Sequence, residues 1–198
     1  RISIFDILIS ILSRTTFTIF KKLSDYRKVN SGGRYMNNIG QPVEDKIEFE
    51  ARHKFSIAFE NSEYPGYTSE KILEAFAAGT VPIYLGDPEI NRVFNDKAFI
   101  NVRDYASIDD VVEKVKNLDK NDEEYLKMLR EPIFNDGYDI DEVKSGLENF
   151  IFYIIDQKRE KAFRRNLTFW GKNYELFHKR YCNINMRLRK MKDVFRKR

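Results

Sequence analysis

The sequence predicts an α/β fold built on a parallel sheet, and three adjacent stretches predict it. Residues Phe55–Phe59, FSIAF, alternate large and small apolar side chains, which suits a buried strand. Residues 69–78 combine helix formers with an apolar face of Ile72, Leu73, Ala75 and Phe76, and Gly79 stops them. Residues Val81–Leu85 form a second short apolar run ending at Gly86. Strand, helix, strand in that order is the βαβ unit of a parallel sheet. Thr68 or Ser69 can cap the helix, and Glu70 in its first turn suits the dipole.

Between the first strand and the helix lies a polar loop, residues 60–68. In parallel sheets ligands sit at the carboxyl ends of strands, where helix N-termini present unpaired N–H groups to anions. A loop that merely turns the chain needs few hydrogen-bonding groups. This one, with the helix start, carries Glu60, Asn61, Ser62, Tyr64, Tyr67, Ser69, Glu70 and Lys71. It is a binding site by position.

The flanking sequence extends the alternation. Residues 16–26 are helix-like, with Phe17, Phe20 and Leu23 on one face, and residues 28–40 hold turn signals at Ser31-Gly32-Gly33 and Asn37-Asn38. Residues 45–53 read as a helix, 87–95 as a loop and 98–102 as a third strand. Ser107 and Asn121 each precede an acidic residue three positions on, marking two helix starts. A longer helix is expected over 139–157, carrying Val143, Leu147, Phe150, Ile151 and Ile154. Residues 2–20 are apolar but broken by Asp6, Ser10, Ser13 and Arg14, which argues for a core-facing helix or a truncation remnant rather than a membrane span. The expected organisation is an N-terminal segment 1–21, a sheet domain 22–157 and a basic helical tail 158–198.

Composition narrows the chemistry. The single cysteine, Cys182, permits no internal disulfide. His53 and His178 are far apart, so no Cys/His set suggests zinc. The net charge of +4 conceals a split: residues 158–198 hold 15 Lys/Arg against 3 Asp/Glu, leaving residues 1–157 at −8. In the tail, Trp170, Tyr174, Phe177, Tyr181, Ile184, Leu188, Met191 and Phe195 repeat at alternating spacings of four and three. An apolar stripe on a basic helix suits an anionic membrane surface through residues 169–198, or self-association in a coiled coil. Packing on its own domain is the plainer alternative. Nucleic acid is not expected as a partner.

The strings FENS, GYTSEK, AFAAGTVPIYLGDP and FNDKAFINV, with KKLSDYRKVNSGGRYMNNIG upstream, occur in one order at fitting spacing. They resemble the α-1,3-fucosyltransferases of glycosyltransferase family 10, over residues 22–134. Ser69 and Leu85 depart from the Thr and Trp usual in that pattern. The resemblance implies a Rossmann-like domain, the donor-binding half of a GT-B-type enzyme. It implies transfer of fucose from GDP-fucose to a glycan acceptor such as N-acetylglucosamine in a surface polysaccharide; the style of the SGGRYMNNIG string and of the basic tail suggests a bacterial protein, expected in the cytoplasm at the inner face of the inner membrane. It assigns Asn61, Tyr67, Glu70 and Lys71 to donor binding. Glu60 is either a further donor residue or structural. An arginine that contacts the diphosphate aligns with Thr16; either a local shift brings in Arg14, or the contact is absent.

Departure of a diphosphate without a metal requires fixed cations and N–H donors. Lys71 offers a point charge beside the dipole, and Glu70 can accept two ribose hydroxyls. The bland readings are an exposed lysine and a helix-start carboxylate. No Asp-x-Asp pair stands at a strand end, so no metal or other cofactor is expected. Arg92 is either a further cation or a solvated surface residue, and Asp87 reads as a turn aspartate. The resemblance puts the general base in a separate N-terminal domain; nothing before Lys22 shows a likeness to one, so no catalytic residue is nominated and little turnover by the chain alone is expected. A catalytically incomplete nucleotide-sugar-binding fragment and a membrane-associated structural module are the alternatives.

Overall fold

The computed structural model describes residues 5–7, 14–33, 36–158, 173–174 and 176–186. The chain forms two compact units, Arg1–Tyr138 and Asp139–Arg198. In the first, the order is β1 (Phe5–Ile7), α1 (Arg14–Tyr26), β2 (Val29–Ser31), α2 (Lys46–Glu50), β3 (Phe55–Phe59), α3 (Glu70–Ala77), β4 (Val81–Leu85), β5 (Ile100–Asn101), α4 (Ile108–Lys120) and α5 (Asp122–Leu129). Short 3-10 turns at Ile90–Arg92 and Val102–Asp104 flank β5. The strands lie in the order β2-β1-β3-β4-β5, all neighbours parallel. Phe55 registers with Val81 and Ile83 with Ile100.

The pleat of β3 decides which layer packs where. Phe55, Ile57 and Phe59 point to one face with Val81, Ile83 and Ile100, under Ile19 and Leu23 of α1 and Val111, Val112, Val115 and Leu118 of α4. Ser56 and Ala58 point the other way. Their small side chains let α3 approach, and Ile72 packs there with Ala58, Tyr84, Phe94 and Phe99. Thr80 ties that face, its hydroxyl donating to the Ala75 carbonyl at 2.9 Å and lying 2.8 Å from the Ser56 hydroxyl.

Two strands depart from the sequence expectation. β1 lies in the apolar N-terminal stretch expected to be helical or a remnant, where it pairs with both β2 and β3. α1 begins at Arg14, also inside that stretch. β2 lies among residues read as turns. Its outer side is closed by Asn38: the Asn38 amide donates to the Val29 carbonyl at 2.7 Å and accepts from the Ser31 N–H at 2.8 Å, and the Asn38 N–H donates to the Ser31 carbonyl at 2.9 Å. An edge strand is thereby covered by a loop.

Helix starts follow the sequence signals. Asp45 accepts from Glu48 N, Ser107 from Asp110 N, Asn121 from Glu124 N and Asp139 from Asp141 N. The second unit contains α6 (Ile140–Ile155) and the helical residues 173–174 and 176–186. The sequence reading kept residues 139–157 with the sheet domain; the compact division falls before them. No side chain of α6 is buried, including Val143, Leu147, Phe150, Ile151 and Ile154. Tyr174, Phe177, Tyr181 and Ile184 of the tail stripe are exposed, while Trp170, Leu188, Met191 and Phe195 lie outside the described residues. Among the described residues no helix is long and apolar enough to cross a membrane.

One buried ion cluster joins α2 to α3. Glu50 is 4% exposed; Lys46 Nζ lies 3.5 Å from its Oε1 and also pairs with Glu74 of α3. The other oxygen, Oε2, has no hydrogen bond. Burial pushes the Glu50 carboxyl up to about 7; Lys46 pulls the other way, and the Glu74 charge adds to the rise. Between the ordinary value of 4.5 and about 7, the folded state keeps a proton that the unfolded chain releases. Stability therefore falls as pH rises through that window. Glu50→Gln removes this titration. Its thermal midpoint should exceed the parent's above neutrality, and the advantage should shrink as the pH falls toward that ordinary value. A midpoint difference that stays constant across the window would refute the assignment.

Candidate functional site

The strand order 2-1-3-4-5 reverses direction between β1 and β3, and open α/β sheets bind ligands in the crevice at such a switch point. The loop that follows β3 is the polar stretch 60–69, and the connection after β1 leads into Arg14 at the start of α1. The 60–69 loop lies at the carboxyl edge of the sheet, because every strand is parallel.

Glu60 organises the loop. Its backbone N–H donates to the Leu85 carbonyl at 2.8 Å, continuing the β3–β4 pairing by one residue. Its side chain is fully buried and turned toward α3. Oε1 accepts from the Ser69 N–H at 2.7 Å; Oε2 accepts from the Ser69 hydroxyl at 2.7 Å and from Lys71 Nζ at 3.1 Å. Ser69 holds the N-cap position without a side-chain cap bond. The sequence reading gave the cap to Thr68 or Ser69; instead both serine donors are turned onto Glu60. A buried carboxylate outcompetes the cap because it must collect donors.

The strand end opposite makes room for this. A methyl group on Gly86 would come within 2.4 Å of Glu60 Cγ and 2.5 Å of the Tyr84 hydroxyl. That hydroxyl accepts from the Asp87 N–H at 2.9 Å, and burial pushes the Tyr84 phenol up, keeping it protonated. Asp87 is 6% exposed and acts as a turn residue, accepting from Glu89 N at 2.8 Å and from the Thr68 hydroxyl at 3.1 Å. The loop is thus fixed at its far end as well.

The remaining candidates divide. Lys71 is a half-buried cation, 15% exposed, and also reaches Asn61 Oδ1 at 3.4 Å. The structure thereby brings Glu60, Asn61, Ser69 and Lys71 together. Glu70 opens α3 with its side chain exposed, and Tyr67 is 41% exposed with its N–H donating to the Tyr64 carbonyl. Arg14 is exposed at the first residue of α1, whereas the aligned Thr16 is buried. Arg92 is 75% exposed and pairs with Glu89 at 2.8 Å, a surface pair. Arg103, absent from the sequence reading, forms an ion pair with Glu63 in the middle of the loop. The two are 40 positions apart, and no local pattern signals the contact. Among the described residues no group of three or more His, Cys, Asp or Glu could hold a metal ion.

A topological switch point beside a helix N-terminus, a partly buried lysine and exposed polar groups is chemically suited to anionic, hydroxyl-bearing ligands. The family profile described as glycosyltransferase family 10 (fucosyltransferase), C-terminal, matches residues 10–145, and the chain belongs to that family. It is 37% identical over 116 residues to the alpha-(1,3)-fucosyltransferase FucT of Helicobacter pylori, covering 59% of this chain and 24% of that protein. A crystal structure of an alpha1,3-fucosyltransferase with GDP-fucose superimposes with a TM-score of 0.67 at 28% identity, over 75% of this chain and 47% of the other. One with GDP gives a TM-score of 0.70 at 31% identity, over 79% and 48%. The chain spans about a quarter of the curated relative's length and about half of each solved chain. The family match begins upstream of Lys22, where the sequence resemblance starts, and takes in α1.

Gly86→Ala should force Glu60 off its three donors. The expected loss is at least the roughly 1–3 kcal/mol usual for overpacking, and larger because a buried carboxylate is left short of donors. Gly146→Ala in α6 meets open space and should cost nothing. Denaturant unfolding of the two variants checks this, and equal stability would show that Glu60 is not held as described.

Proposed function

We propose that the chain is the donor-binding half of an α-1,3-fucosyltransferase that takes GDP-fucose. The observation that carries this is the Glu60–Ser69–Lys71 constellation at the start of α3, beside the switch point, in a chain that superimposes on a fucosyltransferase solved with that nucleotide sugar.

Lys71 supplies positive charge where the departing diphosphate accumulates negative charge, and Glu60 fixes its position. Two of the three ammonium protons are directed at Glu60 and Asn61, leaving one for a phosphate oxygen. Glu70, exposed and acceptor-only, takes ribose hydroxyls. Tyr67 offers a ring face and Asn61 an amide. Arg14, at the β1–α1 side of the crevice, is the second cation in this reading. The reaction is a direct displacement: an acceptor hydroxyl oxygen bonds to the fucose anomeric carbon as the bond to GDP oxygen breaks. The hydroxyl proton goes to a carboxylate base contributed from outside residues 1–198. The acceptor is a glycan such as N-acetylglucosamine of a surface polysaccharide, and no metal is required.

The tail is assigned to an anionic membrane surface, on the cytoplasmic side of a bacterial inner membrane. Exposed Tyr174, Phe177, Tyr181 and Ile184 on helical backbone support this, together with the basic composition around them. Residues 1–198 should sediment with anionic vesicles at low salt and be released at high salt, while a chain ending at Gln157 should not sediment. A salt-resistant dimer that ignores vesicles would assign the stripe to self-association instead.

Donor binding is tested by calorimetry with GDP. Lys71→Ala and Glu70→Ala should each lose about 1.5–3 kcal/mol, roughly 10- to 150-fold in affinity. Chelator should leave the parent's affinity unchanged. Parent-like affinity in both variants would remove the assignment, and a large loss on chelation would reveal a metal.

A further inference from the structure

We propose that Arg103 is a positioning residue for this site: its ion pair with Glu63 holds the segment from Asn61 to Tyr67 in the shape that meets the nucleotide. The inference rests on the donor-binding reading above and adds a residue that the motif does not contain.

β5 ends in a fixed turn. Asn101 is 6% exposed, accepts from the Arg103 N–H at 3.2 Å and donates to Asp104 Oδ1 at 3.2 Å. The 3-10 turn Val102–Asp104 is therefore a fixed platform, joined through β5 to β4, whose own end carries Gly86 and Asp87. From it Arg103 reaches Glu63 in the neighbouring loop. The loop is held at its start and end by Glu60 and by the Thr68–Asp87 bond. Its middle contains Pro65 and Gly66, the latter at φ +78°, and every residue from 61 to 67 is exposed. Burial does not order this stretch. Arg103 supplies a long-range tie at its centre, between the two residues assigned to the donor. Without it, the ligand must order the loop on binding and loses affinity accordingly.

The pair is partly exposed, with side chains 38% and 47% accessible. Such pairs shift equilibria by up to about five-fold and weaken in salt. In the full 1–198 chain without nucleotide, Arg103→Ala and Glu63→Ala should each speed amide exchange across residues 61–67. They should also weaken GDP binding about three- to five-fold at low salt. Arg103→Glu combined with Glu63→Arg should restore both, because the pair is re-formed with its ends exchanged; each reversal alone should not. Parent-like exchange in the single variants, or a double reversal no better than the singles, overturns the positioning role. Loss of GDP binding in Lys71→Ala with full binding in the Arg103 variants also overturns it, while the donor reading stands. A parent chain that ignores GDP sinks the donor reading, and the exchange arm still decides whether Arg103 orders the loop.

Discussion

A carboxylate with no solvent contact must be surrounded by donors, and Glu60 is that carboxylate. Its neighbours are arranged by this requirement. Ser69 gives up its capping bond, Lys71 folds back from solvent, and Gly86 is bare of a side chain so that the Glu60 methylenes fit. The first turn of α3 is thereby clamped to the end of β3. Breaking one partner of such a cluster costs far more than the cluster contributes to stability, because a buried charge is left uncompensated. The arrangement fixes geometry at the edge where a ligand would enter. It also means that Lys71 is electrically balanced before any ligand arrives. An incoming anion would meet the helix dipole and the N–H groups as fresh attraction, and would share the lysine with Glu60.

Around that clamp the sheet works as a spacer between two unlike faces. The phenylalanines and isoleucine of β3 take the thick layer of α1 and α4, and its serine and alanine take the close approach of α3. The same pleat alternation aims Glu60, next after Phe59, at the α3 side.

Much of this was legible. The bounds of β3 and β4 follow from apolar runs bracketed by polar loop and glycine, and α3 falls between its expected start and Gly79. Ser107 and Asn121 announced helices because their side chains bond N–H groups three residues away, a purely local event; Asp45 and Asp139 cap the helices expected over 45–53 and 139–157 in the same way. β1 and β2 were not legible. Three residues show no period, and each is a strand only through its partners. The division after Tyr138 was hidden for a related reason: the apolar spacing of α6 looks the same whether its face is covered or, as here, exposed. At the site, position and motif singled out Asn61, Tyr67, Glu70 and Lys71. The role of Glu60 became visible only once the strand end and the helix start were seen to face each other, and Arg103 only once β5 was placed beside β4.

The amide of Asn38 lies along the outer side of β2 like one rung of a further strand. Both its hydrogen-bonding senses are used: the NH2 group on one carbonyl, the oxygen on one N–H. Loss of ammonia from this side chain, the common chemical ageing of asparagine, would replace the donor with a carboxylate oxygen. Two acceptors would then face each other at Val29. The loop that covers the edge of β2 would then keep two of the three hydrogen bonds that Asn38 makes to it.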